Sequence, residues 1–192
     1  IDGFVDASNV ASLLYAEHEG SFLVGAAAGM KTSANVIGFI GGVNFPLINK
    51  FEAGFAAGVA QTNPDATVLV EYVTEPPDFD GFNAPDRGRE IALSMYEKGA
   101  DIIYQAAGGT GFGVFEATKS HTEDSGSKVW AIGVDSDQYN VVDDSVKEYL
   151  LTSMMKNMDV SVFDIIKAQG EGTFQGGAVM FNLSNDGVGY AT

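Results

Sequence analysis

The chain has 192 residues, of which 45% are hydrophobic, so it can bury the core of one α/β domain or of one lobe with part of another. Its 26 acidic and 10 basic residues give a formal net charge of −16, which argues against a nucleic-acid partner because such binding depends on basic side chains that neutralise phosphates. The absence of cysteine excludes disulfides, thiolate metal sites and a cysteine nucleophile.

The first thirty residues predict a helix that belongs to the middle of a fold. Residues 9–30 carry apolar side chains at helical spacing, with Ser8 or Asn9 as the N-cap, and fit one helix or two joined helices. Small residues where another element can approach recur at Gly20, Gly25 and Gly29. Because no strand, signal peptide or long apolar span is present there, we expect this chain to be the C-terminal part of a longer protein.

The middle of the chain alternates short apolar runs with amphipathic segments. The predicted elements are, in order, a strand at 34–40, a helix at 46–62, a strand at 66–73, a helix at 86–99, a strand at 100–106, a helix at 110–121 and a strand at 129–134. Strands that alternate with helices of this length indicate βαβ units. The predicted fold class is therefore α/β, with a parallel sheet flanked by helices.

The alternation ends after residue 134. An extended run at 149–154, an amphipathic helix at 157–169 and a strand at 177–183 complete the predicted elements. No repeat, low-complexity tract or flexible linker separates domains along the chain.

A glycine cluster follows the third predicted strand of the alternating region. Gly108, Gly109, Gly111 and Gly113 partly imitate a dinucleotide-binding turn, but the spacing of that motif is not met. The cluster fits three interpretations: a dinucleotide site, tight strand-to-helix turns, or backbone groups that face a small polar ligand. We prefer the third interpretation.

Two carboxylates end the next strand. Asp135 and Asp137 fall on the same side of an extended backbone, because side chains alternate along a strand. Such a pair can act as acid and base or bind a metal, but His18 and His121 lie far from it in helical segments. We therefore favour the pair as acceptors for two sugar hydroxyls, and surface or helix-end roles for both histidines.

Two further residues are candidates for ligand contact. Phe82 is an aromatic residue in a polar loop and either stacks on a flat ligand or anchors its own loop. Lys156 stands where the chain leaves the sheet, and is either solvated or within reach of a ligand hydroxyl. No Ser/His/Asp arrangement, phosphate-binding loop or metal-ligand spacing occurs in the chain.

Several segments together resemble a known family. They read VIGFIGGVNFPLINKFEAGFAAGV, FNAPDRGREIALSMYEKGADIIYQAAGGTGFGVFEA, WAIGVDSDQ, LLTSMMKNMDVSVFDII and GGAVMFNLSNDGVGYA. This series resembles the basic membrane protein family of ABC-transporter substrate-binding lipoproteins, of the purine-nucleoside-binding type. The resemblance runs over essentially the whole chain.

The resemblance implies a type I periplasmic-binding-protein fold, in which two α/β lobes are joined by three crossing segments and close over a ligand. The resemblance further implies that the first lobe is incomplete in this chain. The divisions it implies are a remnant of the first lobe at 1–33, the second lobe at 34–150, a crossover with a helix that returns to the first lobe at 151–176, and a final strand with the C-terminal segment at 177–192.

The family's ligand-binding residues carry over to matching motifs. They imply that Phe82 stacks on the base, that Asp135 and Lys156 hold the ribose, and that Gly108 or Gly109 faces the ligand. The family's aspartate before the helix is Ala84 here, which puts the anchoring of the Phe82 loop in doubt. The family's opening segments, which supply the rest of the pocket, and its lipid-bearing cysteine have no counterpart in this chain.

The function implied is binding rather than catalysis. An extracytoplasmic protein of this kind captures a nucleoside for ABC permease subunits, without cofactor or metal, and its membrane attachment is through a lipid anchor that this chain lacks. The alternatives are a dinucleotide-dependent enzyme built on residues 108–113, a ligand sensor or regulator that reuses the fold, and a sugar-binding protein.

Overall fold

A computed structural model describes residues 1–192. The strands are β1 (Ala11–Tyr15), β2 (Val36–Val43), β3 (Thr67–Thr74), β4 (Ile102–Ala106), β5 (Trp130–Gly133), β6 (Leu150–Lys156), β7 (Gly177–Phe181) and β8 (Val188–Tyr190). The helices are α1 (Glu17–Lys31), α2 (Pro46–Thr62), α3 (Pro85–Glu97), α4 (Gly111–Ser125), α5 (Asp144–Lys147) and α6 (Met158–Gly170).

Six strands form the main sheet, in the order β3-β2-β4-β5-β6-β8. The first five run parallel, and β8 closes the edge antiparallel to β6. Helices α1 and α2 pack on one face of the sheet, and α3 and α4 pack on the other. The fold is therefore a three-layer α/β arrangement, as the alternation of strands and helices predicts.

A second, smaller sheet consists of β1 and β7, which pair in parallel from Ala11 with Gly177 to Tyr15 with Phe181. Helix α6 lies beside it, and the hydroxyls of Tyr15 and Ser161 are 2.5 Å apart. The chain passes between the two sheets three times, after β1, β6 and β7. Hydrogen bonds such as Ala16 N to Phe181 O at 2.8 Å tie these connections together.

The prediction of a helix at 9–30 is wrong in its first part. Residues Ala11–Tyr15 form β1, and α1 begins only at Glu17, so neither Ser8 nor Asn9 is its N-cap. The segment ASLLY fits both a helical and an alternating pattern, and its pairing with β7 decides between them. Strand β2 continues to Val43, beyond the predicted end at residue 40, and no local pattern in the sequence predicts α5 or β8.

Helices α1 and α2 lie unusually close together. A side chain at Gly25 would overlap the backbone of Phe55, and one at Gly54 would overlap the backbone of His18. The predicted role of the glycines of α1, to admit another element, is thus confirmed. The contacts of α1 lie with α2 and with β6 and β8 of the main sheet, while the division of the chain into lobes at residue 33 stays a prediction.

Candidate functional site

A cavity of about 240 Å³ opens at the carboxyl ends of the parallel strands. Four residues at the ends of β4 and β5, or just after them, border it: Ala106, Gly108, Val134 and Asp135. Lys156 borders it from the end of β6. In open α/β sheets, ligands bind in the crevice outside these strand ends. A larger hollow of about 550 Å³ between α1 and α2 has no buried charged side chain, so the strand-end cavity is the candidate site.

Phe82 forms one wall of this cavity. The residue ends a short 3-10 turn, Asp80–Phe82, and its half-buried ring stands edge-to-face with the ring of Phe45 at 6.2 Å. A side chain at Gly42 would overlap the Phe82 ring, so the absence of one lets the ring lie against the end of β2. The ring is both an anchor of its loop and a surface of the cavity.

Thr110 holds the loop that carries Phe82. Its buried hydroxyl donates to Gly81 O at 2.7 Å and accepts from Ala84 N at 2.8 Å, so it brackets Phe82 from both sides. Ala84 itself makes no side-chain cap for α3. The loop is therefore fixed through Thr110, although the residue before α3 supplies no side-chain cap.

Asp135 occupies a strained backbone position at the end of β5. Its φ of 67° lies in the left-handed region, which few residues other than glycine adopt. The atom Oδ1 is buried and has no hydrogen-bond partner, although the side chain as a whole is 47% exposed. Burial raises the pKa of Asp135, and the positive charge of Lys156 offsets only part of that rise.

Lys156 lies at the centre of a group of carboxylates. Its side chain is 3% exposed, and Nζ lies 2.9 and 3.0 Å from the two oxygens of Asp2, 3.4 Å from Glu17 Oε1 and 3.9 Å from Asp135 Oδ1. Burial lowers the pKa of Lys156, but the neighbouring carboxylates, that of Asp135 first, prevail and raise it. Lys156 is therefore a charged ammonium at neutral pH, and its 3.9 Å separation from Asp135 is too long for a hydrogen bond.

Asp137 does not join Asp135. Its carboxylate accepts from Tyr139 N at 3.2 Å and from Asn140 Nδ2 at 2.7 Å, which caps a short 3-10 turn outside the cavity. The expectation that both aspartates face the same way assumed an extended backbone, and the left-handed turn at Asp135 breaks that alternation. Gly108 borders the cavity, whereas Gly109 lies behind it against the Phe82 loop.

The other glycines of the cluster serve packing. A side chain at Gly111 would overlap Gln105, and one at Gly113 would overlap the backbone of Pro85. These two positions therefore do not present their backbone to a pyrophosphate. The two histidines also lie away from the strand ends, with His18 exposed on α1 and His121 stacked on Tyr96 at 5.0 Å.

Sequence reasoning missed four residues of the site. Asp2 and Glu17 surround Lys156, and the rings of Phe45 and Phe51 line the cavity with Phe82. A buried glutamate at the start of α1 gives a weak sequence signal, because an isolated acidic residue next to an apolar helix usually lies in solvent. Asp2 gives none, since only the fold brings it to Lys156.

No group of three or more histidine, aspartate or glutamate side chains is placed to hold a metal ion.

A family model described as "ABC transporter substrate-binding protein PnrA-like" matches residues 1–191. The chain belongs to this family. The chain is 42% identical to the CD4+ T-cell-stimulating antigen of Listeria monocytogenes, over 98% of this chain and 53% of the relative. It is 37% identical to the ABC transporter nucleoside-binding protein BmpA of Lactococcus lactis, over 95% of this chain and 53% of the relative.

Solved structures agree with the family assignment. A crystal structure of ABC transporter system solute-binding proteins from Aeropyrum pernix superposes with a TM-score of 0.81 at 28% identity, covering 100% of this chain and 52% of that one. The chain thus spans about half the length of the relatives it matches. None of its helices has the length and hydrophobicity of a membrane span.

Proposed function

We propose that this chain is part of the extracytoplasmic substrate-binding component of an ABC importer and that its ligand is a nucleoside. The observation that carries the proposal is the Asp135 carboxylate, which is 47% exposed at the cavity and lies 3.9 Å from the ammonium of Lys156 beside an aromatic wall. One oxygen of this carboxylate has no hydrogen-bond partner in the protein, which is rare for a buried acceptor. The family and the nucleoside-binding relative support the same ligand class.

A sugar hydroxyl in the cavity suits these two charges. A hydroxyl accepts from an ammonium and donates to a carboxylate at the same time, so it contacts both groups without any change in their charge. The Phe82 ring, on the neighbouring wall, offers a stacking surface for a planar base. The arrangement offers charge and shape complementarity for a ligand, and the chain belongs to a substrate-binding family, so its proposed role is binding rather than catalysis.

The cavity in this chain is one side of the full pocket. Its volume of about 240 Å³ is below the range of roughly 300 to 1,000 Å³ that is usual for ligand pockets. We attribute the remainder to residues of the longer protein that the relatives' lengths imply. In this proposal the main sheet belongs to the second lobe, and the small sheet of β1 and β7 with α6 belongs to the first.

The partners follow from the same proposal. A substrate-binding component delivers its ligand to ABC permease subunits outside the cytoplasmic membrane, and a lipid anchor beyond this chain would hold it there. The charge of −16 suits neither nucleic acid nor an anionic membrane surface as a direct partner.

Calorimetric titration of the full-length protein with guanosine and inosine tests the proposal. Removal of the Asp135 carboxylate in Asp135→Ala is expected to weaken binding by roughly 10-fold to 150-fold, the equivalent of about 1.5 to 3 kcal/mol for a hydrogen bond to a charged group. Asp137→Ala is the matched control, because it removes a neighbouring carboxylate that lies outside the cavity. Equal affinity of wild type and Asp135→Ala would remove Asp135 from the site.

A further inference from the structure

Two buried glutamines lie at the strand ends that border the cavity and are not among its lining residues. Gln105 is fully buried in β4, and Gln138 is 7% exposed in the turn after β5. Nε2 of Gln105 donates to Oε1 of Gln138 at 2.7 Å. The two amides thus connect neighbouring strand ends.

Each glutamine also holds the backbone of one strand end. Ala107 N donates to Gln105 Oε1 at 3.1 Å, and Val134 N donates to Gln138 Oε1 at 2.8 Å. Because both amide oxygens face backbone N–H groups, the donor between the two side chains must be Nε2 of Gln105. We call this set of three hydrogen bonds the glutamine bridge.

The two residues held by the bridge directly precede the two left-handed residues of the cavity. Gly108, with φ 55°, follows Ala107, and Asp135, with φ 67°, follows Val134. A left-handed aspartate persists only where surrounding contacts over-determine the backbone. The bridge supplies such contacts at the position immediately before each turn.

The sequence makes room for the bridge. A side chain at Gly111 would overlap the amide of Gln105. A Cβ atom at Gly133 would lie only 2.5 Å from Ser153 Oγ and 2.7 Å from Gln138 Oε1. Ser153 in turn accepts from Gln138 N at 3.1 Å, which ties the bridge to β6. One glycine in each of the motifs AAGGTGFG and WAIGVDSDQ therefore leaves space for a glutamine side chain, and neither of the two is needed for ligand contact.

We infer that Gln105 and Gln138 are positioning residues that set the backbone of Gly108 and Asp135 for ligand binding and couple these two sides of the cavity to each other. The inference rests on the proposed function for its consequence in affinity, but not for its consequence in the backbone. We expect loss of either amide to loosen both strand ends, because the bridge is continuous from Ala107 to Val134.

The first test needs no ligand. In the full-length protein, residue-resolved hydrogen exchange is compared between wild type and Gln138→Met, a substitution of similar volume without an amide. We expect faster exchange at Val134, which loses its acceptor, and also at Ala107, whose own acceptor Gln105 is untouched. Unchanged exchange at Ala107 would overturn the coupling.

The second test measures nucleoside affinity by calorimetry for Gln105→Met, Gln138→Met and the double variant. We expect each single variant to weaken binding by about tenfold and the double variant to add little, because residues that act as a unit are not additive. Thr118→Val is the control, since it removes a fully buried hydrogen bond, 2.7 Å to Tyr96, far from the cavity. Affinity losses no larger than that of the control would overturn the inference.

A second pair of variants tests the direction of the hydrogen bond between the two glutamines. Gln138 only accepts within the bridge, so Gln138→Glu keeps its role, whereas Gln105→Glu cannot donate. We expect slower exchange at Ala107 in Gln138→Glu than in Gln105→Glu, and equal exchange in the two would contradict the bridge. If wild type bound no nucleoside, the proposed function would fail while both exchange experiments still decided the inference.

Discussion

At the scale of single residues, the site combines groups that oppose stability. The carboxylate of Asp135 is held in a left-handed turn with a buried, unpaired oxygen, and its pKa is raised by that burial. Strain and missing partners of this kind collect at functional sites, where a ligand completes them. Replacement of Asp135 should therefore raise the stability of the ligand-free protein and weaken ligand binding.

Asp135→Asn tests this opposition. Because the folded-state pKa of Asp135 lies above its unfolded value, ionisation of Asp135 lowers stability, and this loss develops as the pH rises through the folded pKa. We expect the ligand-free variant to have a higher Tm than wild type at pH 7, and the difference to shrink as the pH falls through the folded pKa of Asp135 toward 3.8. Nucleoside affinity should fall about tenfold or more.

Thermal unfolding across pH and calorimetry supply the two measurements. Asparagine keeps the left-handed turn accessible, so the comparison isolates the charge. Asp137→Asn is the control, since Asp137 caps an exposed turn. A lower Tm for Asp135→Asn at pH 7 would contradict the argument.

The sequence predicts part of this site and misses the rest for a physical reason. Phe82, Asp135 and Lys156 meet at one cavity, because the carboxyl ends of parallel strands converge and the motifs lie at those ends. The prediction that Asp137 lies on the same side as Asp135 is wrong, because the left-handed backbone at Asp135 breaks the alternation of side chains. Asp2 reaches Lys156 only through the pairing of distant strands, which local patterns do not encode.

At the scale of elements, helix α3 begins without a side-chain cap. Its N-cap residue, Ala84, precedes Pro85 and makes no capping hydrogen bond. Ala84→Asp is expected to stabilise the protein by about 0.5 to 2 kcal/mol, because a carboxylate there accepts from the free N–H groups of the first turn. Thermal unfolding would show a rise of roughly 2 to 4 °C per kcal/mol. Ala84→Leu provides no acceptor and should give no such rise.

The crossing of α1 and α2 depends on glycine. A methyl group at Gly54 would overlap the backbone of His18, so Gly54→Ala is expected to destabilise the protein by about 1 to 3 kcal/mol through forced separation of the helices. Gly170→Ala is the matched control, because no atom lies within 4 Å of a side chain there. Urea unfolding should show a lower midpoint only for Gly54→Ala, and equal midpoints would show that the helices separate without loss.

The same elements show how far the fold is encoded locally. Helix α2 begins at Pro46 as predicted, since proline at the first helical position is a local signal. Strand β1 was predicted as helix, because its five residues suit either period and its partner β7 lies near the other end of the chain. Local chemistry thus predicts where elements end better than which element a short apolar run becomes.

At the scale of the whole molecule, exposed apolar side chains concentrate on one region. Those on the first residues, β7, α6 and the turn after β7 are Ile1, Phe4, Val5, Met158, Val162, Phe163, Ile166, Met180 and Leu183. Exposed apolar side chains that gather on neighbouring elements are typical of a contact surface. In the proposed function, the remainder of the first lobe covers it.

Phe163→Lys combined with Ile166→Lys tests this covering, because both side chains are 65% exposed on α6. In the isolated 192-residue chain, the pair should reduce self-association and dye binding to apolar surface, since it breaks the patch. In the full-length protein, the same pair should lower stability by about 3 kcal/mol or more, since two large apolar side chains lose their burial. Sedimentation and thermal unfolding measure the two effects.

Met30→Lys, at a 72% exposed position on α1, should change neither. Equal stability of the full-length protein with and without the pair would show that this surface stays open to solvent.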